Sequence, residues 1–276
     1  MPAPEYVLAR HVLLDALEAL HDHLENLILV GSQAVYLHTG DGTLQVPPMT
    51  TDGDLALDTH QLADSPEIAQ TLMNAGFSPG RNPGQWMGTG DVEIDIMVAP
   101  YQAGTTSKSA RAARIPHHAK TVGRIAHGLE PTLIDNTRHT IAALEESDAR
   151  TFELRVANPA ALIVAKAIKI TERETDARHQ PNRLKDKDAL DTFRLLQAID
   201  TGTLVTGFRR HQTEPEAART AAEAITFITT ESTQADGLLP RLAAQAAFND
   251  PTIAPAFAAL ASTLVDALRK TPSVEN

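Results

Sequence analysis

The chain has 276 residues, is 42% hydrophobic and contains no cysteine, so it can bury a substantial core but cannot rest on disulfides, thiolate chemistry or a Cys-based zinc site. Its formal charge of −11 excludes a surface that embraces nucleic acid over its whole extent, while leaving room for a local cationic patch. No apolar stretch approaches the roughly twenty residues of a membrane span, and Met1-Pro2-Ala3-Pro4-Glu5-Tyr6 lacks a basic n-region and a signal-peptide core, so a cytoplasmic protein with no membrane partner is expected.

In chain order, Val7, Leu8, Val12, Leu13, Leu17, Leu20 and Leu24 follow three- and four-residue spacing and predict an amphipathic helix over residues 5–24, packed on a sheet. Leu27-Ile28-Leu29-Val30 reads as a short strand, Gly31-Ser32 as a turn, and residues 33–38 as the start of a helix. Such a turn suits phosphate: glycine admits an anion close to the backbone, the serine hydroxyl can donate to it, and the helix N-terminus offers free N–H groups. A Gly/Pro-rich loop containing Gly40-Asp41-Gly42-Thr43 and Pro47-Pro48 leads to a strand over residues 52–57. A helix around residues 66–75 comes next, then turn chemistry in Pro79-Gly80-Arg81-Asn82-Pro83-Gly84. Residues 85–87 and 92–98 are expected to pair as strands about a turn at Gly88-Thr89-Gly90.

The chemistry concentrates in two of these strands. Alternation puts Asp52 and Asp54 on one face of the first, and Glu93, Asp95 and Met97 on one face of the second. Hard carboxylate oxygens converging from two strands suit Mg²⁺, which is held by a few carboxylates together with the phosphates of a nucleotide. A two-metal phosphoryl-transfer site follows as the natural expectation, with Asp52, Asp54 and Asp95 as ligands of two Mg²⁺ ions and Mn²⁺ as their substitute.

Between Ile96 and Leu129 there is no acidic residue, whereas Lys108, Arg111, Arg114, Lys120 and Arg124 fall there together with His117, His118 and His127. This cationic segment either lines the cleft beside the third aspartate and meets a nucleotide or an RNA backbone, or is an exposed basic loop. His21-Asp22-His23 and His117-His118 lack zinc-ligand spacing, and neither Gly-x-Ser-x-Gly nor a full P-loop occurs. Residues 129–134 and a strand over residues 154–156 end a small mixed α/β unit. From Pro159 the pattern is helical, with helices over residues 160–171, 185–198, 209–229, 238–247 and 254–270. The predicted class is α+β: a small mixed-sheet core with flanking helices in residues 1–157 and a helical C-terminal domain in residues 158–276.

The order of strand, Gly-Ser, helix, Asp-x-Asp strand and later single-Asp strand resembles the DNA polymerase β-like nucleotidyltransferase superfamily. Within it, Leu29-Val30-Gly31-Ser32-Gln33-Ala34-Val35, Thr50-Thr51-Asp52-Gly53-Asp54-Leu55 and Glu93-Ile94-Asp95-Ile96-Met97 look most like the AbiEii/MenT-type toxins of bacterial abortive-infection and toxin–antitoxin systems. Ala161-Leu162-Ile163-Val164-Ala165-Lys166 and Lys187-Asp188-Ala189-Leu190-Asp191 are similar to the lysine and the Lys-Asp-x-x-Asp segment of those proteins, so the resemblance covers about residues 25 to 196.

The resemblance implies a Mg²⁺-dependent nucleotidyltransferase with a nucleoside triphosphate as donor. The acceptor it implies is the 3′ end of tRNA, or a protein, and the partner it implies is a cognate antitoxin. Catalytic roles would fall to Asp52, Asp54, Asp95, Lys166 and Asp188, and nucleotide binding to Gly31, Ser32, Lys166 and Lys187. Lys169 and Asp191 repeat the spacing of Lys166 and Asp188, so either pair can be the active one. The chain departs from the family at Gly53, where an aliphatic residue is usual, and in the longer stretch from Ser32 to Asp52. These departures keep two alternatives in play: a nucleotidyltransferase for small molecules of the aminoglycoside type, and a nucleotide-binding module without turnover.

Overall fold

The computed structural model describes residues 3–40, 46–107, 109–177 and 186–270, and the chain is α+β around one mixed, open sheet. The elements, in order, are α1 (Pro4–Ala19), β1 (Leu27–Val30), α2 (Gly31–Thr39), β2 (Asp52–Leu57), α3 (Ile68–Asn74), β3 (Ser78–Pro79), β4 (Gln85–Met87), β5 (Glu93–Val98), β6 (Arg124–Ile125), α4 (Glu130–Ile134), β7 (Asn136–Ala142) and β8 (Thr151–Ala157). The described residues beyond β8 form the helices α5 (Pro159–Ala177), α6 (Lys187–Ala198), α7 (Thr201–Thr213), α8 (Pro215–Ser232), α9 (Leu238–Ala246) and α10 (Ile253–Arg269). Among these residues no helix is long and apolar enough to cross a membrane.

The sheet runs β3-β4-β5-β2-β1-β8-β7, with β6 added beside the far end of β5. β2 and β5 are parallel neighbours, β1 lies antiparallel to β2, and β4 lies antiparallel to β5. α1 packs on β2 and β5 and presents Leu13 to them. Gly53 faces this helix, and a Cβ there would meet Ile94 Cδ1 at 2.8 Å and Leu13 Cδ1 at 3.4 Å. Leu13 and Ile94 therefore occupy the volume that an aliphatic residue at position 53 would fill, and the missing side chain leaves no hole. One continuous apolar cluster joins the strands to the helices after β8 through residues such as Val30, Leu162, Ile163, Phe193 and Phe257.

Several expectations shift. The opening helix stops at Ala19, and residues 21–26 form a 3-10 segment in which His23 is buried with Nε2 2.8 Å from the Pro66 carbonyl. The helix expected near residue 66 starts at Ile68, because Glu67 is extended and its carboxylate accepts from the Gln70 N–H at 2.7 Å. Residues 209–229 belong to two helices, α7 and α8: Pro215 bars Glu214 from helical geometry, leaving it at φ −90 and ψ 119. β7 has no counterpart among the elements the sequence predicts. It is an edge strand with Ile141 as its one buried side chain, so it lacks the alternation that marks a half-buried strand. The helix expected from Lys185 begins at Lys187, while Lys185 itself, like Lys108 and Asp41-Gly42-Thr43, lies outside the described residues.

Candidate functional site

In β2 and β5, Asp52, Asp54, Glu93 and Asp95 stand on the face opposite α1, each half-buried while the alternate residues Gly53 and Ile94 are buried. Parallel register sets Asp52 beside Glu93 and Asp54 beside Asp95. Four carboxylates thus form a two-by-two block, with neighbouring strands about 4.8 Å apart. Burial foremost, then the adjacent Asp52 and Asp95 charges, push the Asp54 carboxyl up to about 6 against the pull of Lys169 and Arg124. Burial and Asp95 likewise raise Glu93, whose Oε1 accepts from Gln85 Nε2 at 2.8 Å.

The expected turn lies directly against this block. Gly31 is the first residue of α2, has φ +67, and follows Val30, the register partner of Asp54. A Cβ on Gly31 would fall 2.0 Å from Asp54 Oδ2, so only glycine fits there. Ser32 differs from expectation: its hydroxyl donates to Asp191 Oδ2 at 2.7 Å and ties α2 to α6 instead of standing free for phosphate. The strand end is braced further by Gln33, whose Nε2 donates to the Asp52 carbonyl at 3.0 Å while its Oε1 accepts from buried Arg10 at 2.7 Å.

Lys166 on α5 is 4% exposed and binds both candidate partners on α6, Asp191 Oδ2 at 2.7 Å and Asp188 Oδ1 at 3.2 Å. The two candidate pairs, Lys166–Asp188 and Lys169–Asp191, share one cluster. Lys169 also reaches Asp188, at 3.4 Å, and Arg173 Nη1 holds Asp188 Oδ2 at 2.9 Å. Burial pulls the Lys166 ammonium down, but Asp191 and Asp188 overcome it and hold the group charged. Burial raises Asp188, and Lys169, Lys166 and Arg173 more than reverse that, so the carboxylate stays ionised. With both hydrogen-bonded carboxylates close, Lys166 is the centre of a buried ion cluster, and the more exposed Lys169 and Arg173 carry its charge outward.

Lys187 reaches the carboxylate block through Thr50: its Nζ donates to Thr50 Oγ1 at 2.9 Å, and the Thr50 hydroxyl donates to Asp52 Oδ1. Its ammonium is lowered by burial, against the pull of Asp52 and Asp191. On the other flank, Arg124 donates to Asp95 Oδ2 from Nη2 at 3.0 Å and from Nε at 3.3 Å. The cationic segment therefore reaches the cleft through one residue, while Arg111, Arg114 and Lys120 are exposed around it.

The donor set fits hard divalent cations. Asp52, Asp54, Glu93 and Asp95 supply hard carboxylate oxygens, and Asp95 Oδ1 is buried without a hydrogen-bond partner among the described residues. The convergence expected from sequence is incomplete, however: among the described residues no three His, Asp or Glu side chains enclose a common point as they stand. Thr50 holds one Asp52 oxygen and Arg124 one Asp95 oxygen, so both outer members of the triad carry a partner within the protein.

Thr50, Glu93, Arg124, Lys169, Arg173 and Asp191 join the residues picked out from sequence. Asp191 and Lys169 were legible as repeats of the Lys166 and Asp188 spacing and Arg124 as part of the cationic run, whereas the Arg10–Gln33–Asp52 brace had no local signal. Compared with protein-family models, with curated proteins and with solved structures, the chain finds no match.

Proposed function

We propose that this chain is a Mg²⁺-dependent nucleotidyltransferase acting as a toxin, which transfers a nucleotide from a nucleoside triphosphate to the 3′ end of tRNA or to a protein acceptor. The observation that carries the reading is the register pairing of Asp54 with Asp95, beside Asp52 on one sheet face and against a glycine that no other residue can replace. Asp52, Asp54 and Asp95 would hold two divalent ions, which when bound place positive charge on the α-phosphate and acidify the acceptor hydroxyl.

The remaining chemistry belongs to the chain itself. The N-terminus of α2 at Gly31 turns backbone N–H groups and a favourable dipole towards the β- and γ-phosphates. Lys169, Arg173 and Lys187 border the same side and offset the charge that accumulates on the leaving pyrophosphate. Asp95 Oδ1, which has no donor among the described residues, would orient the acceptor hydroxyl and take up its proton. Lys166 acts through Asp188 and Asp191, tying α5 to α6, the two helices that carry these cations.

A small cationic acceptor is the second reading, favoured by Glu93, which adds a fourth carboxylate on the Asp95 side. Incubating the purified protein with labelled nucleoside triphosphates and either total RNA or aminoglycosides separates the two. Label in RNA that is lost in Asp52→Asn and Asp54→Asn supports the proposal. Label in the aminoglycoside alone replaces the acceptor, and nucleotide binding without incorporation supports a module without turnover.

A further inference from the structure

Arg124 lies on β6, whose register partner on β5 is Met97. Its side chain runs back along β5 to Asp95, and Nη2 also lies 2.9 Å from Met97 Sδ. The seat is built by Gly84, which has φ +81 and sits where β4 gives way to β6: its N–H donates to the Thr121 carbonyl at 2.9 Å, and its carbonyl accepts from Ile96 at 2.8 Å. A Cβ on Gly84 would lie 2.6 Å from Arg124 N and 3.2 Å from Arg124 Cγ, so the glycine is what lets the arginine lie flat against β5.

Asp95 is consequently asymmetric. Oδ2 accepts two N–H donors from one guanidinium, whereas Oδ1 is buried with none, although an ionised carboxylate has room for about four. Across the register pair stands Asp54, and Arg124 is the cation on this flank, facing Asp95, Asp54 and Glu93. The guanidinium thus offsets charge that a divalent ion between Asp54 and Asp95 would itself offset. Both cannot sit against the same carboxylate without strong mutual repulsion, because the site is partly desolvated.

We propose that Arg124 is an exchangeable counter-ion: it holds the Asp95 carboxylate in the cation-free protein and must let go of Oδ2 when a divalent cation binds. This rests on the nucleotidyltransferase reading and adds to it an internal lock on the third aspartate, opened by the metal. Once released, the planar fork lies at the edge of the site and can pair with a phosphate, a geometry that a lysine would not reproduce. Arg124 is a positioning residue in the first state and a binding residue in the second.

The test uses Mn²⁺ alone with the full chain, its affinity read by electron paramagnetic resonance. Arg124→Gln is expected to bind Mn²⁺ about tenfold more tightly than wild type, since it removes a like charge beside the ion, whereas Arg124→Lys stays near the wild-type value. Equal or weaker binding by a folded Arg124→Gln protein overturns the exchange and makes the arginine a fixed support of Asp95. Should that variant fold poorly, wild-type protein labelled with ¹⁵N-arginine decides: Mg²⁺ is expected to deprotect and shift the Arg124 Nε–H resonance. An unchanged resonance under bound Mg²⁺ overturns the proposal. If neither wild type nor Arg124→Gln takes up Mn²⁺, the nucleotidyltransferase reading falls with it; binding that depends on Asp54 but not on Arg124 removes the exchange alone.

Discussion

Gly31 and Asp54 touch across the β1–β2 pair so closely that a methyl group on Gly31 would lie 2.0 Å from Asp54 Oδ2. The same glycine has φ +67, a conformation that costs an L-residue about 1–2 kcal/mol before any clash is counted. Gly31→Ala is therefore expected to lose the proposed nucleotide transfer altogether and to unfold at lower urea concentration by at least that free energy. Transfer that survives at wild-type rate would show that the Gly31–Asp54 contact does not set the site.

Asp54 carries a stability cost of its own. Burial and the carboxylates of Asp52 and Asp95 raise it from 3.8 to about 6. An acid raised in the folded state contributes stability that is fully present below its unfolded value, near 4, and is lost as pH rises through about 6. Asp54→Asn should then be more stable than wild type at neutral pH, on the order of 1–3 kcal/mol, and equal to it in acid. Urea midpoints for both proteins across this range test it, and the proposed transfer activity should vanish in the variant.

Lys166 is expected to behave in the opposite way. It is 4% exposed and neutralises Asp188 and Asp191, so Lys166→Met leaves two buried carboxylates short of their shared cation. Breaking a buried pair from one side costs about 3–5 kcal/mol. The triple change Lys166→Met, Asp188→Asn, Asp191→Asn should recover much of that in equilibrium unfolding. No recovery would mean that packing, not uncompensated charge, is what the lysine supplies.

His127 joins the strand region to the helices. Its ring is met by Glu130 beside it, Glu172 of α5 and Glu223 of α8 at 3.6–3.8 Å, with Thr220 Oγ1 at 3.4 Å from Nε2. Glu172 foremost, helped by Glu130 and Glu223, raises the imidazole above its ordinary 6.5 although burial opposes it. A base raised in the folded state gives stability that is complete below 6.5 and is lost as pH rises through the folded value. The difference in unfolding free energy between wild type and His127→Gln should shrink over that interval, and a constant difference would leave the cluster without a role.

Much of the candidate site is legible in the chain itself, because strand alternation and one-residue spacing are local properties. Asp52 and Asp54 share a face whatever else the protein does, and Gly31-Ser32 between an apolar run and a helix announces a turn. The change from strands to helices at Ala157 and Pro159 was equally plain from composition and proline placement. Which β-segments become neighbours is not a local property. The parallel pairing of β2 with β5, which sets Asp95 against Asp54, is made through long-range packing under α1. Tertiary structure alone decided that Lys166 divides itself between Asp188 and Asp191, that Ser32 faces Asp191 and that Arg124 occupies Asp95. A long side chain reaches whatever counter-charge the fold brings within a few ångströms, and sequence separations of 22 to 159 residues carry no record of that proximity.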